Sequence, residues 1–384
     1  MRIFNKAEEC SGCSACQSVC PKDAITMKPD ERGFLYPVVD EAKCVECGKC
    51  KSVCEFSDNY NKSNLLENPK VYAVKHKDNI VRDRSRSGGM FVACADYILN
   101  SKNGVVYGCG FDEKLDAVHM RIDSYKDIKS LQGSKYVQSD MGDCFRRAKK
   151  DLDDGKYVLF SGTPCQTAGF RSYVGDYIYD DRLIVCDLVC NSIPTPKVYQ
   201  DYRKFIENKY ESKIIRFNFR DKSRGWNTHI ESCELENGEK IFSKFYTELY
   251  YMKTITRPSC TVCKFTNTKR PSDITLGDFW GVDKVVENFD DNKGVSTVML
   301  NTEKGIVLFD EIKNNLYFEE VSLDDITAMQ PRLKKNNADL SAQTDKFWRD
   351  YQKYGFEYVL KKYTGYGGYR TKIKRKILKR LGRW

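Results

Sequence analysis

Apolar and polar positions along this chain follow two different periods. Val71–Val74, Gly104–Phe111, Tyr157–Phe160 and Leu183–Cys190 are short, almost unbroken apolar runs, and each predicts a strand. Gly88–Asn100 instead places Phe91, Cys94, Ala95, Ile98 and Leu99 on one face at helical spacing, and Pro196–Tyr210 also reads as a helix. Further on, KIIRFNFRD and HIESCELENGEKIF read as strands, the second folding back at Asn237-Gly238. Strands alternating with helices predict an α/β domain with a mixed sheet over residues 70–335.

The first 58 residues lack this pattern, and cysteine organises them instead. Eight of the 17 cysteines lie there. Cys10, Cys13, Cys16 and Cys20 follow C-x2-C-x2-C-x3-C with Pro21 next, and Cys44, Cys47, Cys50 and Cys54 repeat the spacing with Glu55 in the proline position. This is the spacing of two-cluster bacterial ferredoxins, in which three cysteines of a run wrap one [4Fe-4S] cluster and the fourth reaches the other. Cys10, Cys13, Cys16 and Cys54 are therefore assigned to one cluster, and Cys44, Cys47, Cys50 and Cys20 to the second. Gly12 and Gly48 supply the backbone freedom that such tight loops need. A pair of zinc knuckles is the alternative, but eight thiols in a cross-linked repeat exceed what zinc asks for. The N-terminus has no apolar signal core, and no run of about 18 apolar residues spans a membrane. The expected location is the cytoplasm, where clustered cysteines ligate metal rather than pair. The overall expectation is an α+β protein: a ferredoxin domain over 1–58, a polar linker over 59–69, the α/β domain over 70–335 and a helical basic tail over 336–384.

Three segments of the larger domain carry candidate chemistry. Ser85-Arg86-Ser87-Gly88-Gly89 opens a predicted helix, where exposed N–H groups favour an anion such as a nucleotide phosphate, or simply cap the helix. Ser161-Gly162-Thr163-Pro164-Cys165-Gln166 follows an apolar strand, the place where α/β sheets commonly line ligand clefts. Cys260 and Cys263 form a C-x2-C pair, half of a metal site. Cys165 and Cys190 each close an apolar strand, so a converging four-cysteine site fits the pattern, with a solvent-facing redox pair as the alternative. Cys94, Cys109, Cys144, Cys186 and Cys233 read as packing residues. His76, His119 and His229 form no motif and read as structural, His229 being the one worth testing.

The segments SRSGGMF, GSKYVQS, SGTPCQ, DLVCNSIPTPKVY, FRDKSRGW, RPSCTVCKF and SDITLGDFWG together resemble the beta subunits of coenzyme F420 hydrogenases and dehydrogenases, over roughly residues 70–285. The chain looks most like bacterial members with a fused ferredoxin domain. The resemblance implies a flavin, FAD, in the larger domain and a third [4Fe-4S] cluster held by Cys165, Cys190, Cys260 and Cys263. It points to Ser87, Gly88, Gly89, Lys135, Tyr136, Gln138 and Thr163 as flavin contacts. Lys135 and Thr163 are the candidate catalytic residues, and Lys135 and Arg86 the candidate positive groups beside the flavin N1 region. One departure stands out: Cys190-Asn191-Ser192 replaces the Cys-His-Gly usual in the family, so the histidine that often follows the ligand is missing.

Charge adds a tail and little else. The net charge is +10; residues 350–363 read as a helix with an aromatic face, and residues 365–384 after it hold eight lysines and arginines with no acid. Ile373, Ile377, Leu378 and Leu381 would share one face of a basic helix there, suited to an anionic membrane surface or an acidic partner, or the tail is simply solvated. No nucleic-acid-binding module accompanies the charge. The expected function is an iron–sulfur flavoprotein oxidoreductase that moves electrons between ferredoxin-type clusters and a flavin acting on a small organic substrate or a deazaflavin. A ferredoxin-like donor or acceptor protein is the expected partner. The alternative is a non-catalytic electron-transfer protein that feeds a partner enzyme.

Overall fold

A computed structural model describes residues 3–57, 64–335 and 343–368. The N-terminal unit is built on a hairpin of β1 (Ile25–Pro29) and β2 (Leu35–Val39) in antiparallel register. Asp30 forms its turn by accepting the N–H groups of Arg32 and Phe34 at 3.0 and 2.8 Å. Each cysteine loop runs into one short helix, Ala15–Val19 or Lys49–Ser52.

Beyond it come β3 (Lys70–His76), β4 (Val105–Phe111), β5 (Ala117–Ile122), β6 (Val158–Gly162) and β7 (Leu183–Leu188). They are followed by β8 (Ile214–Asn218), β9 (Glu231–Leu235), β10 (Lys240–Ser243), β11 (Ile274–Asp278), β12 (Ser296–Leu300) and β13 (Leu316–Glu320). Eight of these form one sheet in the order β13-β3-β12-β11-β7-β6-β4-β5. The central strands β4, β6, β7 and β11 are parallel, and the flanking pairs are antiparallel, so the sheet is mixed as expected.

Side-chain alternation sends the two faces into two cores. Val106, Leu159 and Ile184 pack with the helices Met90–Asp96 and Glu303–Ile312. Val105, Val158, Phe160 and Leu183 pack with the helices Cys144–Asp153 and Pro164–Val174. The strands β8, β9 and β10 make a separate antiparallel sheet that shares a third core with the helix Pro196–Tyr210. The sequence pattern placed these strands but did not separate them from the main sheet.

The ferredoxin unit is seated on the larger domain. Ala15 and Val53 join the core of Phe145, Phe160 and Phe170. Arg146 donates to the carbonyls of Gln17, Ser18 and Cys20 at 2.9–3.2 Å. Gly169 faces Cys13 so closely that a Cβ there would stand 2.7 Å from its sulfur.

Two helix expectations need correction. Gly88–Asn100 is a helix only over Met90–Asp96, continued by one wider π-helical turn, Tyr97–Ser101. The single helix expected over residues 350–363 is two, Thr344–Tyr354 and Phe356–Tyr363. Gly355, at φ +80°, breaks it because the left-handed conformation cannot continue a right-handed helix. The basic tail from residue 369, the last residue of the expected ferredoxin domain (58) and the first part of the expected linker (59–63) lie outside the described residues. Among the described residues no helix is long and apolar enough to cross a membrane.

Candidate functional site

The two N-terminal loops fold as their glycines require: Gly12 and Gly48 sit at φ +71° and +74°. Cys20, Cys44, Cys47 and Cys50 line one small void together with Ala24, Ile25 and Val39. In the other set, the thiols of Cys13 and Cys16 are pushed up first by burial and then by neighbouring charges that include Cys54. Cys54 thus lies with the first run and Cys20 with the second, the crossing that the spacing predicts. Among the described residues no three His, Cys, Asp or Glu side chains are gathered as for a single metal ion. The four thiols of the second set ring a void, the donor set that a [4Fe-4S] cluster takes.

A third thiol set forms where three elements end. Cys165 is the second residue of the helix after β6, Cys190 lies just past β7, and Cys260 and Cys263 lie at the short turn Pro258–Val262. Strands β6 and β7 are parallel neighbours, so their C-terminal ends deliver Cys165 and Cys190 side by side. The charges of Cys190 and Cys263 act on Cys165, and those of Cys260 and Cys263 act on Cys190. A fully buried ion pair fixes the arrangement: Arg270 donates to Asp187 at 2.8 Å and to the carbonyls of Leu188 and Phe265. This ties the loop carrying Cys263 to the end of β7 that carries Cys190.

The first and third sets adjoin across Glu55, which stands where the other cysteine run has proline. Glu55 is 1% exposed, and its charge acts on Cys13, Cys54, Cys165 and Cys263. Burial pushes its carboxyl up to about 7, against the pull of the nearby Ser11 and Cys13 groups and of Arg257 and Lys264. Arg257 is the other joint. Fully buried, it donates to the carbonyls of Cys10 and Leu35, both at 2.9 Å, and to Gln138 Oε1 at 3.0 Å, and it lies 4.3 Å from the Tyr36 ring centre. Sequence reasoning missed both residues, although the glutamate in the proline position and the arginine ahead of the C-x2-C pair were visible.

Gln138 opens onto a cavity of about 510 Å³ at the C-terminal ends of β6, β7 and β11. Ser87, Gly89, Lys135, Tyr136, Gln138 and Thr163 all line it, as does Cys190. Gly88 does not: its amide is held by Ser296 Oγ at 3.0 Å, and a Cβ there would stand 2.1 Å from the Val74 carbonyl, so it serves close packing. The Lys135 ammonium donates to the carbonyls of Gln132 and Ser130 at 2.9 and 3.3 Å, and burial lowers its pKa to about 8. The Thr163 hydroxyl donates to Gln166 Oε1 at 3.0 Å and lies 3.2 Å from Cys165 Sγ, the contacts of a helix cap beside the thiol set.

His119 and His229 both reach the cavity wall, as do Cys109 and Cys186, which the sequence placed among packing residues. His119 bonds Ser139 Oγ at 2.9 Å and the Ser161 carbonyl at 3.0 Å, and burial lowers its pKa to about 4, so it is a neutral structural group. Because the Ser161 carbonyl can only accept, Nε2 carries the proton.

Paired cysteine loops, a third thiol set beside them and a cavity at the strand ends define an iron–sulfur redox protein. Comparison with known proteins agrees. Residues 9–57 match the 4Fe-4S dicluster domain, and residues 155–326 match the family described as the C terminus of the coenzyme F420 hydrogenase/dehydrogenase beta subunit. The segment 155–326 belongs to that family, and the dicluster domain lies ahead of it.

It is 21% identical over 325 residues to the F subunit of the F(420)H(2) dehydrogenase of Methanosarcina mazei, covering 81% of this chain and 84% of that one. It is 24% identical over 355 residues to the coenzyme F420-dependent sulfite reductase of Methanocaldococcus jannaschii, covering 85% of this chain but only 49% of the reductase. Its N-terminal part is 34% identical over 73 residues to a 7Fe ferredoxin of Hydrogenibacillus schlegelii, covering 18% of this chain and 87% of the ferredoxin. Among solved structures, the F420-reducing [NiFe] hydrogenase complex from Methanosarcina barkeri matches with a TM-score of 0.49 at 15% identity, over 76% of this chain and 94% of that one.

Proposed function

We propose that this chain is a flavin-dependent iron–sulfur oxidoreductase that exchanges electrons between an external protein and a small organic molecule or deazaflavin. Iron–sulfur clusters pass electrons singly, and a flavin exchanges them in pairs, as hydride. The observation that carries the reading is spatial. Six of the seven expected flavin contacts line a single cavity, and the wall of that cavity includes Cys190 of the third thiol set. In this reading Cys10, Cys13, Cys16 and Cys54 hold one [4Fe-4S] cluster and Cys20, Cys44, Cys47 and Cys50 another. Cys165, Cys190, Cys260 and Cys263 hold a third, and the cavity holds FAD.

The chain's own groups exclude water, fix the order of the sites and set the local field. Buried Arg257 holds the first loop against the cavity wall. Lys135 presents an ammonium whose charge is supported only by carbonyl dipoles among its described hydrogen bonds, suited to stabilise negative charge on a bound ring. Catalytic roles for Lys135 and Thr163 belong to this proposal.

A protein partner fits the outer end. Cys47 is exposed, and Val45 and Val38 beside the second set are 57% and 45% exposed. A relative named as one subunit of a dehydrogenase supports the same picture. Iron, acid-labile sulfide and the visible spectrum after anaerobic purification test the whole reading. About twelve irons and one flavin per chain are expected. About eight irons and no flavin would transfer the case to a non-catalytic electron carrier.

A further inference from the structure

Where Trp280 lines the cavity, two guanidinium groups form part of the wall and keep buried donors without a partner. Arg220 is 5% exposed, and the Arg86 side chain is 9% exposed. Arg220 spends one nitrogen on Tyr136 Oη at 3.1 Å, leaving Nε and Nη2 without a hydrogen-bond partner. Arg86 spends Nη2 on the Trp226 carbonyl at 3.2 Å and lies 3.6 Å from Asp278, leaving Nε and Nη1 without one. Both stand over the same indole, 5.7 Å (Arg86) and 5.6 Å (Arg220) from the Trp280 ring centre, and Trp280 is itself stacked on Trp226 at 4.5 Å. The forks are therefore held in place rather than free to swing out to water.

Charge over the cavity wall as a whole is unbalanced. The cavity wall carries Arg86, Lys135, Arg220 and Arg332 against Asp187 and Asp278, and Asp187 is already taken by Arg270. Buried, unbonded N–H groups on paired cations are costly unless a ligand completes them. A carboxylate presents two oxygens and matches one fork in a bidentate pair, whereas the oxygens of a phosphate can take both forks at once.

We infer that Arg86 and Arg220, braced on Trp280, form a subsite for the phosphate group of a bound organic molecule. The inference rests on the cavity being a ligand site, as proposed above. The phosphate has two possible sources, the flavin nucleotide itself or a second, phosphorylated molecule.

The test uses the full, anaerobically purified chain and its Arg220→Gln and Arg220→Lys variants, with Lys293→Gln, outside the cavity, as control. Inorganic phosphate binding is read by calorimetry, and retention of FMN and FAD against riboflavin by spectroscopy. Iron and sulfide content equal to wild type shows that a variant is folded. Saturable phosphate binding that weakens at least tenfold in both Arg220 variants but not in Lys293→Gln supports a second phosphorylated molecule. No phosphate binding to the loaded chain, with a preference for FMN and FAD over riboflavin that Arg220→Gln erases, supports the flavin's own phosphate. Phosphate binding and flavin preference both unchanged in the variants, or both absent in the wild type, overturn the subsite. A chain without flavin that still binds phosphate through Arg220 would sink the oxidoreductase reading and leave the subsite standing.

Discussion

Replacing Arg257 by methionine tests how the ferredoxin unit is joined to the cavity. Methionine keeps most of the length and the apolar packing over Tyr36 while removing every polar contact. Three acceptors then lose a charged donor: the part-buried carbonyls of Cys10 and Leu35 and the buried side-chain oxygen of Gln138. Each charged hydrogen bond contributes about 1.5–3 kcal/mol. The three share one side chain and do not add fully, and local relaxation readmits some water, so a loss of about 3–5 kcal/mol is expected.

The damage is local, because the contacts end on the loop that carries Cys10 and on the cavity wall. A chelator-chased bleaching of the visible iron–sulfur absorbance reads that local opening directly. At about 1.4 kcal/mol per tenfold, a loss of about 3 kcal/mol speeds iron release at least a hundredfold. Arg257→Lys keeps the charge but, without the fork, satisfies fewer of the three acceptors, so it recovers only part of the loss. If Arg257→Met released iron within fivefold of the wild-type rate, the joint assigned to this residue would be wrong.

Other outcomes follow from the same contacts. Arg270→Met strands Asp187 as an unpaired buried carboxylate, an expected loss of about 3–5 kcal/mol, and iron analysis of what still folds should show the third set emptied first. Gly88→Ala drives a Cβ to 2.1 Å from the Val74 carbonyl, and denaturant unfolding should show a loss of more than about 2 kcal/mol. His119 is held neutral with its pKa lowered from 6.5 to about 4, so below pH 6.5 the unfolded chain binds a proton that the folded chain refuses, and stability falls as pH falls. Between pH 7 and 5.5 this amounts to about 1.2 kcal/mol, and His119→Gln should flatten that part of the stability profile measured by thermal unfolding.

The sequence alone carried the features whose causes lie close together along the chain. The crossing of Cys20 and Cys54 between two loops is written into the spacing of each run. The apolar runs of β4, β6 and β7, the helix Pro196–Tyr210 and the turn at Asn237-Gly238 follow from local periodicity and turn chemistry. The break at Gly355 was equally local and was missed because the aromatic face continues across it.

Only the tertiary structure decided what sits beside what. Strand order placed the end of β6 next to the end of β7, and with them Cys165 next to Cys190. Docking of the ferredoxin unit buried Glu55 between two thiol sets and stretched Arg257 from the first loop to the cavity. Packing of the loop after β8 and of the loop ahead of the helix Met90–Asp96 against the segment after β11 brought Arg220 and Arg86 over one tryptophan. A buried charge looks like any surface charge in a sequence, because its burial depends on partners far away along the chain, and those are chosen by packing rather than by periodicity.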